Sequence, residues 1–127
     1  MMRMSLEEFE GHALSAYRRL PQWALDAMEQ GNIDIVVEDW PGPESEGALD
    51  HDGEGGTLLG LYVGVPLIDR YGGDPILPDC IYIYRRPILE VCDSYDTVVE
   101  EIRITLLHEI GHYLGLGEQD LERLGYA

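Results

Sequence analysis

A chain of 127 residues has the length for one domain with one core and is too short for two. Its 25 acidic against 8 basic residues give a formal net charge of −17 at pH 7. That charge repels a phosphate backbone and an anionic membrane surface alike, so neither nucleic acid nor a membrane is expected as a partner.

The N-terminus, "MMRMSLEEFE", turns acidic without an apolar stretch, so it does not read as a secretory signal, and a cytoplasmic location is expected. Ser5-Leu-Glu-Glu has the form of a capping box, with Ser5 as N-cap and Glu8 three residues on. Phe9, Ala13, Ala16, Tyr17 and Leu20 then recur at helical spacing until Pro21. "PQWALDAMEQGN" predicts a second short helix ending at Gly31. "IDIVVEDW", from Ile33 to Trp40, alternates like a strand with Ile33, Ile35 and Val37 on one face.

Residues 41–56, "PGPESEGALDHDGEGG", are acidic, aperiodic and rich in Pro and Gly, which predicts a flexible loop. A second strand is expected over Thr57–Leu67 and a third, "CIYIYRRPI", over Cys80–Ile88. Pro87 has no amide to donate, so the third strand is expected to lie at a sheet edge. That edge would either pair with an extended peptide or be blunted by Arg85, Arg86 and Pro87. Cys80 and Cys92 form no CxxC pair and read as buried thiols. Ser94 or Asp96 can cap a long helix reaching Leu114, with Val99, Ile102, Leu106, Ile110 and Tyr113 as its apolar stripe. The sum is an α+β domain spanning residues 1–127, with helices packed on a small three- to four-stranded sheet.

The chemistry concentrates in "TLLHEIGHYLGLGEQDLERLGYA". His108 and His112 stand four residues apart, hence side by side on one helix face, where both can reach one ion at about 2.0–2.1 Å. Glu109 lies about 100° round the helix from His108, a better position for a general base than for a ligand. A straight helix would carry Glu118 about 15 Å along the axis from His108. Gly115 can instead adopt a left-handed cap and fold the chain back, with Gly117 as a second hinge. Glu118 is then the expected third ligand, and Asp120 the back-up ligand, helix cap or outer-sphere acceptor. His12 has no metal-spaced partner and His51 lies in the acidic loop; neither is expected to ligate. Tyr82, Tyr84 and Tyr113 are candidate oxyanion or substrate contacts, although core packing accounts for each as well.

With these residues the chain resembles the small bacterial zincin-like metallopeptidases, a family with a minimal zincin fold. The likeness is carried by "LLGLYVGVPL" (58–67), "PDCIYIYRRPIL" (78–89), "LLHEIGHYLGLGEQDLERLGY" (106–126) and "VVED" (36–39). It implies an N-terminal helix, a small sheet, a long HExxH helix and a short C-terminal helix. It also implies His108 and His112 as zinc ligands, Glu109 as base and an acidic third ligand at Glu118. That third position is more often aspartate in the family, so Glu118 reaches with one more methylene. No methionine follows the metal helix, so the chain departs from the larger metzincins, in which a Met-turn underlies the metal.

The expected function is zinc-dependent hydrolysis of peptide bonds in a peptide or protein substrate, with a zinc-bound water and Glu109 as general base. The alternative is a catalytically silent zincin-fold binding or regulatory module. A metal-dependent nuclease fits poorly, because the net charge of −17 repels RNA.

Overall fold

The computed structural model describes residues 2–46, 58–65 and 79–126. Helices α1 (Leu6–Arg18) and α2 (Gln22–Gln30) lead into strand β1 (Asp34–Glu38) and a short 3-10 turn (Pro43–Ser45). Strands β2 (Gly60–Val63) and β3 (Cys80–Tyr84) follow, then helices α3 (Arg85–Val91), α4 (Tyr95–Tyr113) and α5 (Glu118–Leu124). The expected α+β architecture is the observed one.

Local chemistry sets the helix starts. The Glu8 amide donates to Ser5 Oγ at 3.1 Å and begins α1, whose Phe9, Ala13 and Ala16 face the core. The Glu8 carboxylate does not close the box; it accepts from the Tyr95 hydroxyl at 3.2 Å, tying the start of α1 to the start of α4. At α4 the cap is Ser94 rather than Asp96. Thr97 N donates to Ser94 Oγ and Ser94 N to Thr97 Oγ1, so two amides that the helix leaves without partners are satisfied reciprocally.

Helix α4 is the centre of the molecule. Its inward residues are Val98, Ile102, Leu106, Leu107, Ile110 and Tyr113, each wholly buried. The stripe therefore runs through Val98, with Val99 only half-buried. Phe9 and Ala13 of α1, Ala24 and Met28 of α2, and Ile81 and Ile83 of β3 complete the same apolar cluster. Cys92 is a buried free thiol and Cys80 a half-buried one.

The three described strands run in the order β1-β3-β2, with β1 parallel and β2 antiparallel to β3. This corrects the expectation for the third strand. β3 is the central strand, not an edge, and it stops at Tyr84. Arg85–Val91 is a helix, with Pro87 at its third position. The first-turn amides of a helix have no partner within it, so a missing N–H there costs nothing. Among the described residues the sheet edges are β1 and β2, and a role for "CIYIYRRP" as the edge strand that receives a peptide falls with the correction. The second strand is also shorter than expected, and 47–56 of the acidic loop, with Thr57 and 66–67, lie outside the described residues.

Register places Gly60 opposite Ile83 and Tyr62 opposite Ile81, on the face that meets α4. A Cβ on Gly60 would come within 2.4 Å of Thr105 Cγ2 and 2.8 Å of the Tyr82 carbonyl oxygen. Strand and helix thus touch almost backbone to side chain, and a methyl group there must push β2 away from α4. Gly60→Ala is expected to destabilise the protein by about 1–3 kcal/mol in urea unfolding.

Candidate metal centre

From Thr105 to Gly111, every residue of α4 is buried, including His108 and Glu109. Polar groups held inside a protein need partners. Glu109 Oε1 accepts from the main-chain N–H of Tyr62 on β2 at 2.8 Å. His108 Nδ1 lies 2.7 Å from the main-chain carbonyl oxygen of Tyr126. A carbonyl only accepts, so Nδ1 carries the proton of that bond, and a neutral ring presents a lone pair at Nε2. His108 Nε2 is buried and has no hydrogen-bond partner.

Two turns assemble the surroundings of that nitrogen. Helix α4 ends at Gly115 with φ +85°. Leu116 N donates to Gly111 O and Gly115 N to His112 O, at 2.9 and 3.0 Å, which is a Schellman motif. The chain reverses there, and α5 begins at Glu118. At the end of α5 the motif recurs: Gly125 has φ +86°, Tyr126 N donates to Leu121 O and Gly125 N to Glu122 O. The first reversal delivers the Glu118 carboxylate; the second delivers the Tyr126 carbonyl to His108. Leu121 is wholly buried beneath α5, and a Cβ on Gly111 would lie 2.3 Å from its Cδ2. The glycine inside "HEIGH" is therefore what lets α5 seat against α4.

Glu118 Oε1 sits 3.2 Å from His112 Nε2 and 3.4 Å from His108 Nε2. The edge of a tetrahedron around a zinc ion with ligands at about 2.0–2.1 Å is about 3.3–3.4 Å. Glu109 Oε2 is farther off, 3.9 Å from His108 Nε2. His108, Glu109 and His112 form a group able to hold a metal ion, their ligand atoms all within 4.8 Å of one another. A buried Nε2 that makes no hydrogen bond and faces carboxylate oxygens is an arrangement that a cation would complete. The donor set fits a divalent cation.

The other expected site residues lie elsewhere. Asp120 Oδ2 accepts from Gly117 N and Oδ1 from Arg123, so this carboxylate caps α5 and pairs along the helix. Tyr113 is wholly buried and packs edge-on against Tyr62. Tyr84 is wholly buried as well and donates to Glu44 Oε2 at 2.9 Å. Burial, reinforced by the Glu44 carboxylate, pushes its phenol well above the ordinary range and keeps it neutral. Both tyrosines are packed in the core. Half-buried His12 packs edge-on against Tyr95, and His51 lies outside the described residues. Sequence reasoning missed the main-chain groups of Tyr62 and Tyr126. Gly125, closing a short helical pattern as Gly115 closes a long one, was an available signal for the second; nothing in side-chain identity signals the first.

A small mixed sheet beneath a buried HExxH helix, with a glycine reversal and an acidic residue after it, defines a zincin-type metal-site fold. A family model described as zincin-like metallopeptidase matches residues 30–126, and the chain belongs to that family. Among solved structures, a conserved hypothetical protein from T. thermophilus superposes with a TM-score of 0.58 at 22% identity, over 87% of this chain and 94% of that one. That likeness is one of fold. Comparison with curated proteins finds no match.

Replacing Gly115 by alanine places a β-carbon in the left-handed region. The expected cost is about 1–2 kcal/mol of stability in urea unfolding. A weaker metal affinity in titration with a competing chelator should accompany it, because Glu118 moves with the turn.

Proposed function

We propose that the protein is a zinc-dependent peptidase, with His108, His112 and Glu118 as ligands and Glu109 as general base. The observation that carries the reading is the unpartnered, buried Nε2 of His108, with a carboxylate oxygen 3.4 Å away. Two imidazoles and one carboxylate are a donor set common to catalytic zinc sites, which keep a further position open. When bound, such an ion acts as a Lewis acid and lowers the pKa of its water toward about 7.

The chain's own groups divide the remaining work. The Tyr126 carbonyl holds the tautomer and orientation of His108, so that Nε2 faces the ligand cluster. The Tyr62 amide holds Glu109 Oε1 and turns Oε2 to the same side, where it takes a proton from water and passes it to the leaving amine. Glu109 is 5% exposed and its base function is sheltered from bulk solvent, whereas Glu118, more exposed, stands on the open side of the site. The same two-histidine, one-carboxylate set also serves non-haem iron. A carboxylate poised beside the ligands without joining the closest triad favours hydrolysis. We further propose a peptide or protein as the substrate and the cytoplasm as the location.

Two measurements test this. Elemental analysis of the protein equilibrated with zinc should give one ion per chain, and Glu118→Ala should weaken zinc binding by more than the roughly hundredfold that loss of a supporting outer partner costs. A peptide-library digest should show cleavage by the zinc-loaded wild type and a loss of about 10³-fold or more in Glu109→Gln at undiminished zinc content. One zinc per chain with no peptide cut overturns the peptidase reading in favour of a zincin-fold binding module.

A further inference from the structure

A second cleft, of about 730 Å³, opens near the other end of α4, between residues 2–5, Trp40 and α3. Tyr95 lines it, 13 residues before His108, or about 20 Å along the helix axis. All eight basic residues of the chain are arginines, and three of them, Arg3, Arg85 and Arg86, converge here. In a chain of net charge −17, cations are scarce, and this is where they gather.

The walls are fixed. Met2 N donates to Leu89 O at 3.0 Å, and Arg85 Nη1 donates to Met4 O at 2.7 Å, so Arg3 sits on a backbone tied down on both sides. Arg86 N donates to Asp39 O at 3.0 Å, which anchors the first turn of α3. Arg85 is buried and consumed by this scaffolding: its Nε donates to Asp39 Oδ1 at 2.7 Å. The guanidinium beside Asp39 holds that carboxyl below its usual range. Arg3 and Arg86 are different. Both are exposed, and neither side chain makes a hydrogen bond or ion pair among the described residues, although Arg86 lies near enough to Asp39 to add to the lowering of that carboxyl. Of the two lining carboxylates, Glu8 is engaged by the Tyr95 hydroxyl, and Glu90 is exposed on α3. Trp40, 52% exposed, adds a large flat surface beside the arginines.

We propose that this cleft binds a small aromatic anion, its phosphate or carboxylate group held by Arg3 and Arg86 and its ring against Trp40. A guanidinium matches either group through paired N–H donors, and an indole face accepts a flat ring. The volume lies within the range of small-molecule sites, and the walls are set before any ligand arrives. The site is independent of the metal centre and rests on none of its residues.

Calorimetric titration of the full-length wild type tests it with four probes: adenosine 5′-monophosphate, adenosine, inorganic phosphate and benzoate. Saturable binding of at least one aromatic anion is expected, with adenosine and inorganic phosphate each weaker by roughly tenfold. The relative strength of the nucleotide and benzoate tells phosphate from carboxylate as the preferred group. Arg86→Ala and Arg3→Ala, both at exposed positions, should each weaken that binding by roughly tenfold, and Trp40→Ala by about fivefold, with unfolding midpoints unchanged. Failure of both aromatic anions to saturate overturns the proposal. So does binding unaltered in both arginine variants, or adenosine binding as tightly as its phosphate.

Discussion

The reversal of the backbone at Gly115 is the constraint on which the rest of the centre depends. A helix by itself aligns His108 and His112, but it carries everything downstream away from them at about 1.5 Å per residue. Only a residue tolerant of positive φ can end α4 in a Schellman turn and send the chain back across its own last turn. Glu118 reaches the imidazoles because of that turn. The same device at Gly125 brings a carbonyl to the far side of His108, so two left-handed glycines return to this imidazole a hydrogen-bond acceptor at Nδ1 and a carboxylate near Nε2.

Burial supplies the energetic tension. Placing a histidine and a glutamate in the most enclosed stretch of the central helix is costly unless each polar atom finds a partner. The main chain of β2 and of the segment after α5 satisfies one atom of each side chain. Ligand atoms of His108, Glu109 and His112 lie within 4.8 Å of one another, and Glu118 approaches them from α5. Among the described residues, the site is enclosed on the side of His108 and Glu109 and open on the side of Glu118.

Much of this was legible in the residues. Spacing predicts the helix pair, Ser5 as a cap and the reversal at Gly115, because each rests on local backbone chemistry that a short stretch determines, and it leaves Ser94 and Asp96 as alternatives for the cap of α4. The third strand was not legible. "CIYIYRRPI" is an apolar and aromatic run through Tyr84 that two arginines follow, and Pro87 reads equally as a strand terminator and as an early helix residue; only pairing on both sides of β3 decides between them. Main-chain partners are a further blind spot. The Tyr62 amide and the Tyr126 carbonyl belong to no residue type, so no pattern of side chains announces them, and a sheet register and a turn geometry must be known first.

The contact of Gly111 with Leu121 bears on how such a sequence can drift. α5 lies so near α4 that the volumes of these two side chains are effectively one shared quantity. A bulkier residue at position 111 requires a re-oriented Leu121, a slimmer residue at 121, or a displaced α5 and a carboxylate that no longer reaches the imidazoles. Within a lineage that keeps the site, the two positions should therefore vary as a pair, and the middle of the histidine motif, which touches no ion, is held by geometry as tightly as its ends are held by chemistry.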